Sequence, residues 1–248
     1  TILGTSTADS LIVSNASGDD SLALLTGNDT VTGSGGIDIV DLGSGNDLMT
    51  QPGDYTAGTI LGGSGNDTIH TASKFSGSEA DGGTNNDSIV LVKNTTFSSA
   101  TLSGGQANDT ISVNSSSTLV SSSIYGAAST GGSTDGADSI ELGTLSSSLL
   151  QGNAGNDTFY VAGKTTNSTT LGGRGNDYIT TVGTIAGSYV GGNRGSDSLI
   201  LTGNVAESTS VYGGGIYDTT NDGSDSLRFA STLDGGFVQL NAGNDTLN

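Results

Sequence analysis

The sequence contains no cysteine and no tryptophan, one proline, one histidine and one methionine, and only six basic residues against 25 acidic ones. Each shortage excludes something. Without thiols no disulfide can staple the fold, so another kind of cross-link has to serve. Zinc is poorly served when there is no cysteine and His70 is the sole imidazole. A Ser-His-Asp triad would have to use that same His70, and nothing near it has nucleophile character. Nucleic acid is excluded as a partner, because the formal charge is −19 and there is no basic patch to neutralise phosphates. No apolar run approaches the ~20 residues that a membrane-crossing helix needs, so no membrane insertion is expected. Thr1-Ile2-Leu3-Gly4 reads as strand and turn rather than a signal peptide, the expectation for a mature or truncated segment.

Glycine is abundant, with 42 residues. A glycine-rich, polar chain could remain disordered, but the spacing of its aspartates argues against that. Asp20, Asp29, Asp38 and Asp47 are nine residues apart, and Asp47, Asp67 and Asp87 are twenty apart. Asp109, Asp138, Asp157, Asp177, Asp197, Asp225 and Asp245 continue the series at steps between 19 and 29. Two residues beyond each lies an apolar side chain, from Leu22 and Val31 through Ile69, Ile89 and Phe159 to Leu247. A small polar residue usually stands between, as at Thr68, Ser88 and Thr158. This is the alternation of a strand with one buried face. A second strand precedes each glycine turn in the long repeats. Ile60, Ala80, Leu102, Leu150, Val190 and Val238 stand seven residues before the Asp, with Thr170 breaking the row. Small residues stand two positions earlier still, as at Ser78, Ala100 and Ser148.

Repetition at this period is the signature of a solenoid. The expected architecture is all-β: one continuous parallel β-roll or β-solenoid over residues 1–248, with about 20 residues and two short strands per coil. Residues 1–47 form nonapeptide-like coils with an Asp turn at both edges, Asp29 and Asp47 on one and Asp20 and Asp38 on the other. Residues 48–248 form longer coils that keep one Asp edge, interrupted by insertions near 126–137 and 213–224. Asn85 and Ala107 replace the usual Gly two residues before their Asp, so the coil at Asp109 should be less regular. The inserted loops should bulge from the Asp edge, where function concentrates on a regular scaffold; tolerated surface insertion is the simpler account.

One Asp per coil at the same position makes a ladder of like charges about 4.8 Å apart. At an effective dielectric of ~20, neighbours would repel by roughly 3 kcal/mol. Calcium suits such a ladder, since it takes six to eight oxygens from carboxylates and main-chain carbonyls. Magnesium keeps its waters and demands stricter geometry. The metal ligands expected are Asp29, Asp47, Asp67, Asp87, Asp109, Asp138, Asp157, Asp177, Asp197, Asp225 and Asp245, with Asp20 and Asp38 on the other edge. The alternative is that each Asn-Asp pair only closes its turn by side-chain-to-backbone hydrogen bonds.

Gly62-Gly63-Ser64-Gly65-Asn66-Asp67-Thr68-Ile69 and Gly172-Gly173-Arg174-Gly175-Asn176-Asp177-Tyr178-Ile179 resemble the RTX (repeats-in-toxin) calcium-binding nonapeptide. The match is partial at Thr84-Asn85-Asn86-Asp87, Asn193-Arg194-Gly195-Ser196-Asp197 and Gly223-Ser224-Asp225. The resemblance implies a secreted parallel β-roll that folds on binding several calcium ions. It also implies carbonyl ligands from Gly63, Gly65, Gly173 and Gly175. The twenty-residue coil with one Asp edge looks more like repeats of surface-layer proteins and adhesins than toxin blocks. Sites flanking Asp138 and Asp225 are where the inserted loops could displace ligands.

Three functions follow as expectations. The first is a structural segment of a bacterial cell-surface protein — surface layer, filament or adhesin — that self-associates or continues in a longer chain. The second is the calcium-binding module of a secreted polysaccharide-active enzyme; the chain itself is not expected to be an enzyme. The third is an ice-binding adhesin segment, which needs a repeated Thr row. The position three before the Asp reads Ser64, Thr84, Gln106, Ala154, Arg174 and Arg194, so the turn has none. Arg174 and Arg194 read as solvated surface, with surface polysaccharide as an alternative contact. Tyr55, Tyr125, Tyr189, Tyr212 and Tyr217 could stack on sugars or pack.

Overall fold

The computed structural model describes residues 2–13, 21–33, 39–72, 74–127, 135–215 and 222–248. The described residues form a right-through stack of coils built on two parallel sheets of twelve strands each. The first sheet contains the strands that precede the Asp turns, such as Thr59–Ser64, Glu79–Thr84 and Leu149–Ala154. The second contains those that follow, such as Thr68–Thr71, Ser88–Leu91 and Thr158–Val161. Each strand pairs with the strand of the same kind in the neighbouring coils. Among the described residues, no helix is long and apolar enough to cross a membrane.

Register follows from the alternation. Ile69 pairs with Met49 on one side and Ile89 on the other, and the three are buried together. A slip of one residue would turn this apolar row to solvent and bring Thr68 or His70 inside. The row seven residues before the Asp is equally enclosed, with Ile60, Ala80, Leu102, Leu150 and Val190 all buried. Thr170, which breaks that row in sequence, also points inward and is fully buried.

The two principal strands and two turns of each coil are as expected, but the long coils have a third side. Short strands at Tyr55–Thr56 and Phe75–Ser76 pair with each other, and five more run from Thr96–Ser98 to Ile185–Ala186. Their inward residues are Tyr55, Phe75, Phe97, Leu119, Leu145, Thr165 and Ile185, all buried, with Tyr55 stacked on Phe75 at 5.6 Å. These side chains wedge the two large sheets apart on the side away from the Asp turns. Each large one contributes about 1.5–3 kcal/mol by burial. Tyr55 therefore packs and is not a sugar-stacking surface.

A corner joins each short strand to the next strand of the first sheet. The small residues of the sequence row line it. Ser122, Ser148, Ser168 and Ser188 each accept the N–H of the equivalent residue one coil earlier at 3.0–3.1 Å. A hydroxyl is small enough to fit inside the coil and still satisfies an N–H that the corner would otherwise leave unpaired.

Candidate metal centre

The Asp turns stack into one column along the described chain. The backbone N–H of each ladder Asp donates to Oδ1 of the Asp in the next coil. Eleven such bonds run from Asp9→Asp29 to Asp225→Asp245, at 2.6–3.0 Å. The residue before the Asp makes a second column of opposite sense. Oδ1 of Asn28, Asn46, Asn66, Asn86, Asn108, Asn156 and Asn176 accepts an N–H from the following coil at 2.6–3.1 Å. Asn and Asp therefore do bind backbone, and these ladder bonds run between coils; at the first turn Asp9 also closes its own turn, its Oδ2 accepting the Thr5 N–H at 2.7 Å.

Both expectations about disturbed turns are corrected. Ala107 adopts φ 77° and Asn85 φ 78°, and the Asp109 coil keeps its ladder bonds at 2.7 Å on both sides. The intercoil bonds hold Ala107 in a left-handed conformation that Ala alone disfavours. The insertions likewise leave Asp138 and Asp225 in the ladder, buried, at 2.7 and 2.9 Å from their donors. The insertions begin where the strands Ser123–Ala127 and Ser210–Gly214 end. Residues 128–134 and 216–221 lie outside the described residues, as do Asp20, Asp38 and Tyr217.

The second carboxylate oxygen is the chemically informative atom. Oδ2 of Asp29, Asp47, Asp67, Asp87, Asp109, Asp138, Asp157, Asp177, Asp197 and Asp225 is buried and has no hydrogen-bond partner. Leaving ten such acceptors unpaired in a protein interior is costly. From Asp47 to Asp225 burial raises the pKa values of these carboxyls, against the lowering pull of the N–H bonded to Oδ1, and nearby carboxylates raise them further. Asp67 is pushed up to about 6, Asp109, Asp157, Asp197 and Asp225 to about 7, and Asp87, Asp138 and Asp177 to about 8. A row of carboxyls this buried stays ionised at neutral pH only if positive charge comes to it.

Glycine makes room for these oxygens. A side chain at Gly82 would meet Asp87 Oδ2 at 2.6 Å and collide with the carbonyl oxygen of Gly104 in the next coil. The same holds at Gly104 with Asp109 and Gly126, and at Gly172 with Asp177 and Gly192. The glycines five residues before the Asp are thus the ones that face the unpartnered oxygen. Sequence reasoning had picked Gly63, Gly65, Gly173 and Gly175, whose φ of 101–122° explains their glycine. The signal for the missed column was its constancy: Gly62, Gly82, Gly152, Gly172 and Gly192 stand at one offset from their Asp. Among the described residues no three His, Asp or Glu side chains converge on one point. The oxygens that meet at these glycines are the unpartnered carboxylate oxygen of one coil and the main-chain carbonyl of the next. Such hard oxygen donors suit calcium.

Comparison with known proteins agrees with this chemistry. The family model of the RTX calcium-binding nonapeptide repeat matches in four copies, over residues 15–49, 53–73 and 133–163. Those segments carry RTX-type calcium-binding repeats. The solenoid also resembles the crystal structure of a hyperactive, calcium-dependent, β-helical antifreeze protein from an Antarctic bacterium. The TM-score is 0.69 at 21% identity, over 97% of this chain and 83% of that one. At that identity the likeness concerns the fold. No curated protein matches the sequence. The chain binds Ca2+ through its RTX repeats, and the ladder aspartates with their glycine carbonyls are the residues that would hold it. Bound calcium would supply the charge that keeps the carboxylates ionised and cross-link successive coils.

Proposed function

We propose that the chain is a calcium-stabilised structural segment of a secreted or surface-attached bacterial protein, such as a surface layer, filament or adhesin. The observation that carries this reading is the unbroken ladder, with one unpartnered buried carboxylate oxygen per coil from Asp29 to Asp225. A single donor set repeated along a rod makes rigidity along its whole length; it does not concentrate chemistry at one point. Calcium is abundant outside the cell, so such a rod would set only after export. Self-association, or continuation in a longer chain, fits a stack that can add coils. The test is electron microscopy with small-angle scattering, in calcium and after chelation. Elongated, laterally or end-to-end associated particles only in calcium support the reading; dispersed monomers at all calcium levels count against assembly by this segment.

The fold shared with an antifreeze protein makes ice binding a second reading. The surface position three before the ladder Asp weakens it, because Arg174 and Arg194 pair in register and Asp135 and Asp222 occupy it elsewhere. Thermal hysteresis at millimolar protein would restore it. The enzyme-module reading would gain from turnover of an acidic polysaccharide by this chain alone.

A further inference from the structure

The two turns that follow the insertions differ from the other described turns in carrying a second acidic residue, three positions before the ladder Asp: Asp135 before Asp138, and Asp222 before Asp225. Their backbone role is clear. In an ordinary coil the N–H at this position donates to a main-chain carbonyl one coil earlier, as Ser64 does to Gly43 at 2.8 Å. At Ala154 and Ala242, the coils after the insertions, it donates to a carboxylate: Asp135 Oδ2 at 2.9 Å and Asp222 Oδ2 at 3.1 Å. A carboxylate thus takes the place that a main-chain carbonyl has in the ordinary coil.

An asparagine would serve that purpose as well, so the charge itself needs a reason. Asp135 stands beside the ladder, where Asp138 and Asp157 are each about 98–99% enclosed with Oδ2 unpartnered. Asp222 stands beside Asp225, also 2% exposed with Oδ2 unpartnered, and its own Oδ1 is buried without a partner. Bringing another negative charge to an already crowded carboxylate row destabilises the fold unless a cation is shared. More ligand charge at a rigid oxygen site tightens calcium binding.

We propose that the turns at Asp135–Asp138 and Asp222–Asp225 hold the most tightly bound calcium ions of the array, and so anchor the coils that flank each insertion. This rests on the calcium reading of the ladder. The test is isothermal titration of calcium into chelator-stripped protein, for the wild type and for the Asp135→Asn, Asp222→Asn double variant. Asparagine keeps an oxygen for Ala154 and Ala242 and removes the charge, together with the bond that the Gly136 N–H donates to Asp135 Oδ1 at 3.0 Å. The wild type should show a tight minority class of ions, and the double variant should bind that class about tenfold or more weakly. Ser64→Asp, which adds the same charge to an ordinary exposed turn, should enlarge the tight class. A tight class unchanged in the double variant, or an isotherm with a single class in the wild type, overturns the proposal. Absence of any calcium binding by the wild type overturns instead the reading it rests on.

Discussion

The short coils of residues 2–47 and the long coils from residue 48 onward solve one problem in two ways. Both stack an Asp turn on one edge, and Asp9, Asp29 and Asp47 continue into Asp67 through the same N–H to Oδ1 bonds. The opposite edge differs. In the short coils the sequence places further Asp turns there. In the long coils that edge is closed by the serine corner and the wedge of Tyr55, Phe75, Phe97 and their successors. The short coils have a thinner core, with an apolar cleft lined by Val13, Leu22, Val31, Ile39, Val40 and Met49. Leu3 and Ile12 are 72% and 77% exposed, whereas Phe97 is fully enclosed. The second Asp edge expected from the sequence at Asp20 and Asp38 lies outside the described residues; on that expectation the first region is the more dependent on cations, since the long coils replace that edge with a hydrophobic one.

Calcium removal should have the largest effect and divide the regions. Chelation should reduce the β signal in circular dichroism. Hydrogen exchange should show residues 2–47 opening at higher free calcium than the long coils. Opening in the reverse order would break the comparison. Next comes the wedge. Phe97→Ala should cost about 3–5 kcal/mol in denaturant unfolding, with calcium saturating, because nothing else fills that side of the coil. An effect below 1 kcal/mol would mean that the third side is not what holds the long coils.

Asp177→Ala should cost somewhat less in bonds, about 1–3 kcal/mol for the buried Asp157 N–H it orphans, plus the loss of bound calcium in the titration. Acid should sharpen the picture further. From Asp47 to Asp225 the ladder carboxyls are raised above their ordinary value of 3.8, up to about 8 at Asp87, Asp138 and Asp177. In calcium-free buffer the folded state therefore holds protons more tightly than the unfolded one. Their stabilisation is fully present below pH ~4 and is lost as pH rises through 6 to 8. Calcium-free protein should melt higher at pH 5 than at pH 8, and calcium should reverse that order. The smallest effect concerns Thr170, whose Oγ1 is fully buried without a partner in a row otherwise aliphatic. Thr170→Val should raise stability by about 1 kcal/mol, read as a shift in the denaturant midpoint.

Much of this was legible in the chain. The Asp period, the apolar residue two positions on and the small polar one between them announce stacked parallel strands with an acidic edge. The third side was harder to see. Its residues hold one offset from the Asp at Tyr55, Phe75, Phe97, Leu145 and Ile185, but they vary between aromatic, aliphatic and, at Thr165, polar. Leu119, and Val205, which is buried and bridged to Ile185, lose the offset because insertions follow them. The corner serines read as small inward residues; their role as acceptors between coils needed coordinates.

Sequence alone determined the repeat, the register and the choice of an oxygen-loving cation, because these depend on residue type at a fixed spacing along one chain. Only the tertiary structure decided how each carboxylate divides its oxygens. One satisfies a neighbour's N–H and the other is left over, since that division is set by the coil above and the coil below. It also decided that the insertions spare the ladder. Bonds between coils fix each Asp from both sides, so a loop can leave and return without moving it.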